Sequence, residues 1–126
     1  MPVKKVICSS VKYAFAFEVD SVSANDITLK SGYTLHTIKS NSAILAQDIK
    51  TGDQGPYYMQ SLSVTSNDAA PSHDLIEQDL IFKLTTETGT VLILGSLDEP
   101  ARCTGGDAEL EGFKLKIERA TVVALL

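Results

Sequence analysis

The sequence predicts a mainly β, antiparallel fold, either a β-sandwich or a small barrel, with at most one or two short helices. Three observations support this prediction. Apolar residues recur with the period-two alternation of half-buried strands over 11–20, 80–94 and 113–118. Turn-forming Gly, Asn, Asp and Ser residues separate such runs at short intervals, as they do in sandwiches and barrels. Helical periodicity is scarce along the chain.

Length and composition predict one domain over 1–126. The chain has 126 residues, 44% of them hydrophobic, and a mean hydropathy of +0.07. That is enough apolar side chain to offset the entropy of ordering the backbone, so we expect a packed core.

The N-terminal half begins with the alternating run 11–20, which predicts a strand. Two short runs, 27–30 and 33–38, flank Ser31-Gly32 and predict a tight hairpin in which Gly32 takes a positive φ. The segment 42–50 fits either a short helix or a strand, and its length does not decide between them. A loop over 51–56 and a strand over 57–65 follow.

The C-terminal half contains a hairpin. Its strands are 80–85 and 91–94, and its turn is Glu87-Thr88-Gly89, with Gly89 at the left-handed position. The return strand is apolar on both faces, so it is central or covered by another layer or subunit. We expect loops at 67–74, which could open one helical turn, and at 104–107, and a final strand over 113–126.

The apolar faces of these runs predict part of the core. The predicted core residues are Phe15, Phe17, Phe82, Leu84, Ile93, Leu115 and Ile117.

Charge and targeting features exclude several partners. The net charge is −5, and Lys4-Lys5 is the one adjacent basic pair, so no patch displaces counterions from a nucleic-acid backbone. No apolar run approaches the roughly 20 residues that span a bilayer, and the N-terminal segment lacks a signal-peptide core. We therefore expect a cytoplasmic protein with no nucleic-acid or membrane partner. Its two cysteines are too few for a disulfide framework, which predicts reduced thiols.

The residues that could carry chemistry do not form a motif. Cys8 is expected to be a small core residue and Cys103 a loop thiol, and neither lies at metal-ligand spacing from His36 or His73. No nucleophile motif is present. We predict a protein that is not an enzyme, with no catalytic residues, no metal and no cofactor.

An acidic run lies close to the C-terminus. Asp107, Glu109 and Glu111 would share one face of a strand. Such oxygen-rich clusters suit Ca²⁺ or Mg²⁺, but an exposed charged face that keeps a strand edge soluble is the favoured interpretation.

Two apolar segments are candidates for protein contact. Tyr57 and Tyr58 must point to opposite faces of their strand, so that one is buried and the other exposed or at an interface together with Met59; two half-buried strand aromatics are an equally good interpretation. Residues 122–126 carry no charged side chain, so we expect their apolar surface to be buried inside the sheet or against a neighbouring subunit. Subunit contact is the favoured interpretation, and its candidate residues are Val122, Val123, Leu125 and Leu126. The alternative function is a ligand-binding β-module in which Tyr57, Tyr58 and His36 line a groove.

The stretch Leu84 to Thr104, LTTETGTVLILGSLDEPARCT, resembles a pattern in small proteins encoded in the structural modules of tailed phages and prophages. A strand, an acidic-Gly turn, an apolar strand ending in Gly-Ser and a Pro-Ala-Arg step follow one another there. The segment Tyr57 to Leu62, YYMQSL, is similar to an aromatic-Gln strand of such proteins. The resemblance implies a tail or head-tail protein that acts through contacts with copies of itself or with other assembly proteins. Such a protein is synthesised in the cytoplasm, incorporated into the virion, and expected to be a homo-oligomer.

Overall fold

The computed structural model describes residues 4–38, 40–66, 78–109, 112–121 and 125. Within these residues the prediction of a mainly β, antiparallel fold is confirmed, in its barrel form, and the one helical element is a 3₁₀ turn at Ala16–Glu18. The strands are β1 Lys4–Phe15, β2 Val19–Val22, β3 Ile27–Leu29, β4 His36–Ile38, β5 Ser40–Gly52, β6 Gly55–Ser66, β7 Asp79–Thr86, β8 Val91–Leu94, β9 Ala101–Glu109 and β10 Gly112–Thr121.

Six strands close into an antiparallel barrel in the order β1, β5, β6, β10, β9, β7 and back to β1. Closure depends on β1, whose first residues pair with β5 and whose remaining residues pair with β7. The register shifts between Cys8 and Ser10, where this change of partner occurs. Bulges of this kind bend a strand and increase its twist, which is what a closed sheet requires.

The barrel interior is filled by the inward residues of the alternating runs. Phe82, Leu84, Leu115 and Ile117 are at most 1% exposed and belong to this core, which confirms their prediction. Phe15 packs against it and is partly buried. We call the whole buried cluster the barrel core; its members are Cys8, Val11, Tyr13, Ile38, Ala43, Leu45, Leu62, Val64, Leu80, Phe82, Leu84, Leu94, Ala101, Cys103, Leu115 and Ile117.

A second apolar cluster lies outside the barrel, beneath the β2–β3 hairpin. We call it the outer core, and it consists of Ala14, Val19, Ile27, Ile81 and Ile93. Lys83 Nζ lies 3.0 Å from Asp26 Oδ1, which ties the hairpin turn to β7. The outer core explains why β8 is apolar on both faces, because Leu94 belongs to the barrel core whereas the predicted core residue Ile93 belongs to the outer core. The predicted covering layer of β8 is therefore this hairpin.

The predicted hairpin between 27–30 and 33–38 is wrong. β3 pairs with β2, and β4 pairs with β1, so the chain reverses one turn earlier, at Ser23–Asp26. The Ser23 N–H donates to Asp26 O at 2.9 Å and closes that turn. Gly32 does take the predicted positive φ, +92°, but it lies in a connection between strands that pair with different partners.

Two segments that the sequence did not assign to strands lie in strands. Residues 42–50 lie in β5, where Ala43, Leu45 and Gln47 face inward. The predicted loop over 104–107 is wrong, because these residues continue β9. The ladder to β10 shifts between Lys116 and Ile117, which accommodates the extra residue beside the two glycines.

Polar side chains form a connected network at one end of the barrel. Gln60 is 0% exposed and donates its amide to Gln47 Oε1 at 3.0 Å. Gln60 Oε1 accepts from Arg119 Nη1 at 3.2 Å, and Arg119 Nε donates to Glu99 O at 2.8 Å. The backbone N–H of Leu125 donates to Gln47 Oε1 at 2.7 Å. Because buried polar groups need partners, this network fixes the relative positions of β5, β6, β10 and residue 125.

Candidate functional site

The most unusual constellation lies where β1 ends. A 3₁₀ turn, Ala16–Glu18, follows the strand, and β4 runs beside the last residues of β1, with His36 opposite Tyr13. This arrangement gathers five rings, which we call the aromatic cluster: Tyr13, Phe15, Phe17, Tyr33 and His36.

A buried carboxylate holds the cluster together. Glu18 is 5% exposed, and its Oε1 accepts the Phe15 N–H at 2.9 Å. The same oxygen lies 3.1 Å from His36 Nε2, and Oε2 lies 3.4 Å from it. A buried carboxylate needs such partners, since an unpaired one is strongly disfavoured in an apolar surrounding. Glu18 therefore joins β4 to the end of β1.

The rings extend in contact from the barrel core to the surface. The buried Tyr13 ring lies 6.0 Å from that of Phe82 and stacks on His36 at 5.0 Å, with 24° between their planes. Phe15 stacks on Phe17 at 5.6 Å, and Phe17 meets Tyr33 edge to face at 6.2 Å. Stacked and edge-to-face rings attract each other beyond the area that they bury. The outermost rings are therefore held in place from beneath.

Phe17 was predicted in the core, and this prediction is wrong. Its side chain is 63% exposed. The strand alternation stops at Phe15, and the 3₁₀ turn that follows has three residues per turn, so position 17 rotates outward and Glu18 inward. Glu18 was the available signal, because an acidic residue three positions after Phe15 can accept that residue's N–H and close a turn.

The predicted contact residues of β6 are all partly buried. Tyr57, Tyr58 and Met59 lie where β6 pairs with β5, and Tyr58 and Met59 also pair with β10. Two half-buried tyrosines are the second of the two interpretations above. Their role in an interface stays a prediction.

The alternative groove is not assembled. Tyr58 on β6 lies opposite Ile49 on β5. The residue of β1 that pairs closest to this position is Lys4, which lies opposite Gln47 on β5. His36 lies opposite Tyr13, so roughly 30 Å of strand at about 3.3 Å per residue separates it from this region. The register therefore places His36 and the two tyrosines at opposite ends of β1.

The C-terminal segment is described in part. β10 ends at Thr121, and the predicted contact residues Val122, Val123 and Leu126 lie outside the described residues. Leu125 is partly buried and packs against the barrel core of its own chain. Its apolar side chain thus has an intramolecular partner, and its part in subunit contact stays a prediction.

Both cysteines are buried thiols. The prediction of Cys8 as a core residue is confirmed, and that of Cys103 as a loop thiol is wrong, because Cys103 lies in β9 and is 0% exposed. Burial raises the pKa of the Cys8 thiol, and a backbone hydrogen bond at Leu45 lowers it by a smaller amount. The net effect is a raised pKa, so this thiol is a weak nucleophile at neutral pH.

Metal binding has no candidate in the described part of the chain. No three His, Cys, Asp or Glu residues are grouped there so that they could hold a metal ion. Asp107 and Glu109 lie on β9, but their side chains and Glu111 are outside what the structure describes.

Comparisons with family models, curated proteins and solved structures return no significant match. Among the described residues, no helix has the length and apolar character needed to cross a membrane.

We predict that Glu18→Ala lowers the free energy of unfolding by about 1–3 kcal/mol, because it leaves the Phe15 N–H and the His36 ring without their buried acceptor. Glu18→Gln keeps the volume and one carbonyl oxygen, so we expect a smaller loss. Urea denaturation of the two variants measures the difference. If Glu18→Gln instead loses as much as Glu18→Ala, the volume and the single carbonyl oxygen that glutamine retains do not hold the cluster, and the expected difference is wrong.

Proposed function

We propose that this protein is a non-enzymatic structural protein that assembles with copies of itself, as a tail or head-tail component of a tailed-phage virion. One observation carries the assembly part of the proposal. The rings of Phe17 and Tyr33, 63% and 44% exposed, stand together at the surface and are braced from beneath by Phe15 and Glu18. The assignment of the protein to a virion is supported by the resemblance of residues 84–104 to phage structural proteins.

Braced aromatic rings suit protein contact for an energetic reason. Aromatic residues are enriched at the centres of interfaces, where they supply most of the binding energy. A side chain that must first be ordered loses rotamer freedom on binding, whereas Phe17 is already held by its stack on Phe15. Burying this exposed pair of rings against another protein therefore contributes favourable free energy to association.

A second apolar patch lies toward the other end of β1. Ile7 and Ile44 are opposite each other on β1 and β5, and they are 52% and 39% exposed. Ile7 lies eight positions before Phe15, which corresponds to roughly 25 Å of strand. Two unlike patches at separate places favour head-to-tail contact, in which one patch meets the other patch of the next copy and the chain of contacts closes into a ring or continues as a fibre.

The test is the mass of the protein in solution by size-exclusion chromatography with light scattering. We expect an oligomer, and we expect Phe17→Ser and Ile7→Ser each to weaken association by about 30-fold or more, as the loss of an interface anchor does. If the contact is head-to-tail, an equal mixture of the two variants forms a dimer through the intact patch of each partner.

Leu97→Ser is the matched control, since Leu97 is 47% exposed and lies outside both patches. This variant should keep the mass of the unchanged protein. A monomeric protein at high concentration would overturn the proposal, and so would an oligomer whose mass neither patch variant alters.

A further inference from the structure

A cavity of about 240 Å³ lies between the β2–β3 turn and the ends of β8 and β10. Its apolar lining comes from Val22 at the end of β2, Ala24 on the turn, Ile93, Gly95 and Leu125. Its polar lining includes Ser23 and Arg119. The volume is slightly below the range of about 300–1,000 Å³ that is usual for ligand pockets, so it suits a small ligand or one end of a larger one.

Arg119 brings a positive charge into this apolar setting. A guanidinium has five N–H donors. Nε donates to Glu99 O at 2.8 Å and Nη1 donates to Gln60 Oε1 at 3.2 Å. In the part of the chain that the structure describes, the other donors have no acceptor and no carboxylate lies within ion-pair distance of Arg119.

Glu99 is the acidic residue that acts on Arg119, and one of its carboxylate oxygens is already hydrogen-bonded to another residue. Glu99 acts on it favourably through its charge, but Glu99 Oε1 accepts from the Thr121 hydroxyl at 3.1 Å. Desolvation by burial is the larger effect, and it lowers the pKa of Arg119 from its usual value. A partly desolvated cation with unused donors is stabilised when an anion joins it.

We propose that this cavity binds a carboxylate joined to a short aliphatic group. Arginine is suited to this ligand because its planar fork matches the two oxygens of a carboxylate, and such bonds are shorter and stronger than neutral ones. The walls formed by Val22, Ile93 and Leu125 accept the aliphatic part. The Ser23 hydroxyl also lines the cavity, but it donates to Asp26 O at 3.3 Å within its own turn, so Arg119 is the group that recognises the carboxylate.

Two sources present this chemistry, a small branched organic acid and the C-terminal residue of a peptide chain. They can be separated with 4-methylpentanoate for the free acid and N-acetylleucine for a chain terminus. The amine of the same shape, 4-methylpentylamine, offers the aliphatic group without the carboxylate.

The experiment is an NMR titration of the full ¹⁵N-labelled chain with each compound. We expect saturable shifts of the Ser23, Ala24 and Gly95 amides with a carboxylate and none with the amine. The carboxylate that binds more tightly identifies the source. Arg119→Gln should weaken binding at least about tenfold, as the loss of a charge-assisted bond does.

Arg119 also belongs to the polar network at one end of the barrel, so its replacement could disturb the fold. A second variant therefore tests the cavity without changing that network. Ala24→Trp fills the cavity from an exposed turn position and leaves Arg119 in place, and we expect it to weaken binding at least about tenfold as well. The proposal is overturned if no carboxylate gives saturable shifts, if the amine binds as tightly as the acids, or if Ala24→Trp binds as well as the unchanged protein.

Discussion

Replacing Phe82 with alanine is expected to lower the free energy of unfolding by about 3–5 kcal/mol. Phe82 is 0% exposed and among the largest fully buried side chains of the described residues. It lies opposite Tyr13 on β1 and opposite Leu94 on β8, so its ring fills the barrel core where three strands meet. Removing the ring forfeits its transfer energy and leaves a cavity that the closed barrel cannot readily collapse.

Urea denaturation followed by circular dichroism measures this change, provided that the dependence of stability on denaturant stays constant. Leu97→Ala is the control, because Leu97 is 47% exposed and should alter stability by no more than about 0.5 kcal/mol. A loss below about 1 kcal/mol for Phe82→Ala would contradict the register of β7, since a shift of one residue exchanges the two faces of a strand. The expected loss is a large share of the roughly 5–15 kcal/mol that stabilises a small domain.

The burial of Phe82 and Leu84 could be predicted because strand alternation is a local property. Two residues of a strand that are two positions apart share a face whatever pairs with that strand. The same argument placed Leu115 and Ile117 correctly. It gave no information on which strands pair, because pairing depends on contacts between residues that are distant in the sequence.

The candidate site was not predicted, because the contacts that form it are tertiary. His36 was recognised as a candidate residue, but its partner Glu18 lies 18 positions earlier and is brought to it by β4 joining β1. The exposure of Phe17 follows from the same contact, since Glu18 turns inward to reach His36 and the Phe15 N–H. The cavity around Arg119 likewise draws on the β2–β3 turn, β8 and β10, which no local pattern connects.

The glycine at position 95 controls how the chain passes from β8 to β9. Leu94 lies opposite Phe82 and Ala101 lies opposite Leu80, so residues 95–100 loop out and the chain rejoins the same neighbour. Gly95 stands at the neck of this loop with a φ of +111°. A Cβ added there would lie 3.0 Å from Leu80 O and 3.1 Å from Ala101 N. Both are backbone atoms, which cannot rotate away.

Gly95→Ala is therefore expected to lower the free energy of unfolding by at least about 3 kcal/mol, since it combines an unfavourable φ, at about 1–3 kcal/mol, with crowding against two strands. Gly89→Ala is the matched control: its φ is +89°, but nothing lies within 4 Å of an added Cβ. The control should lose only the conformational part, about 1–2 kcal/mol. Chemical denaturation of both variants measures the free energy that is lost when the added Cβ is crowded against Leu80 O and Ala101 N. Equal losses would show that the chain at position 95 has room for a side chain.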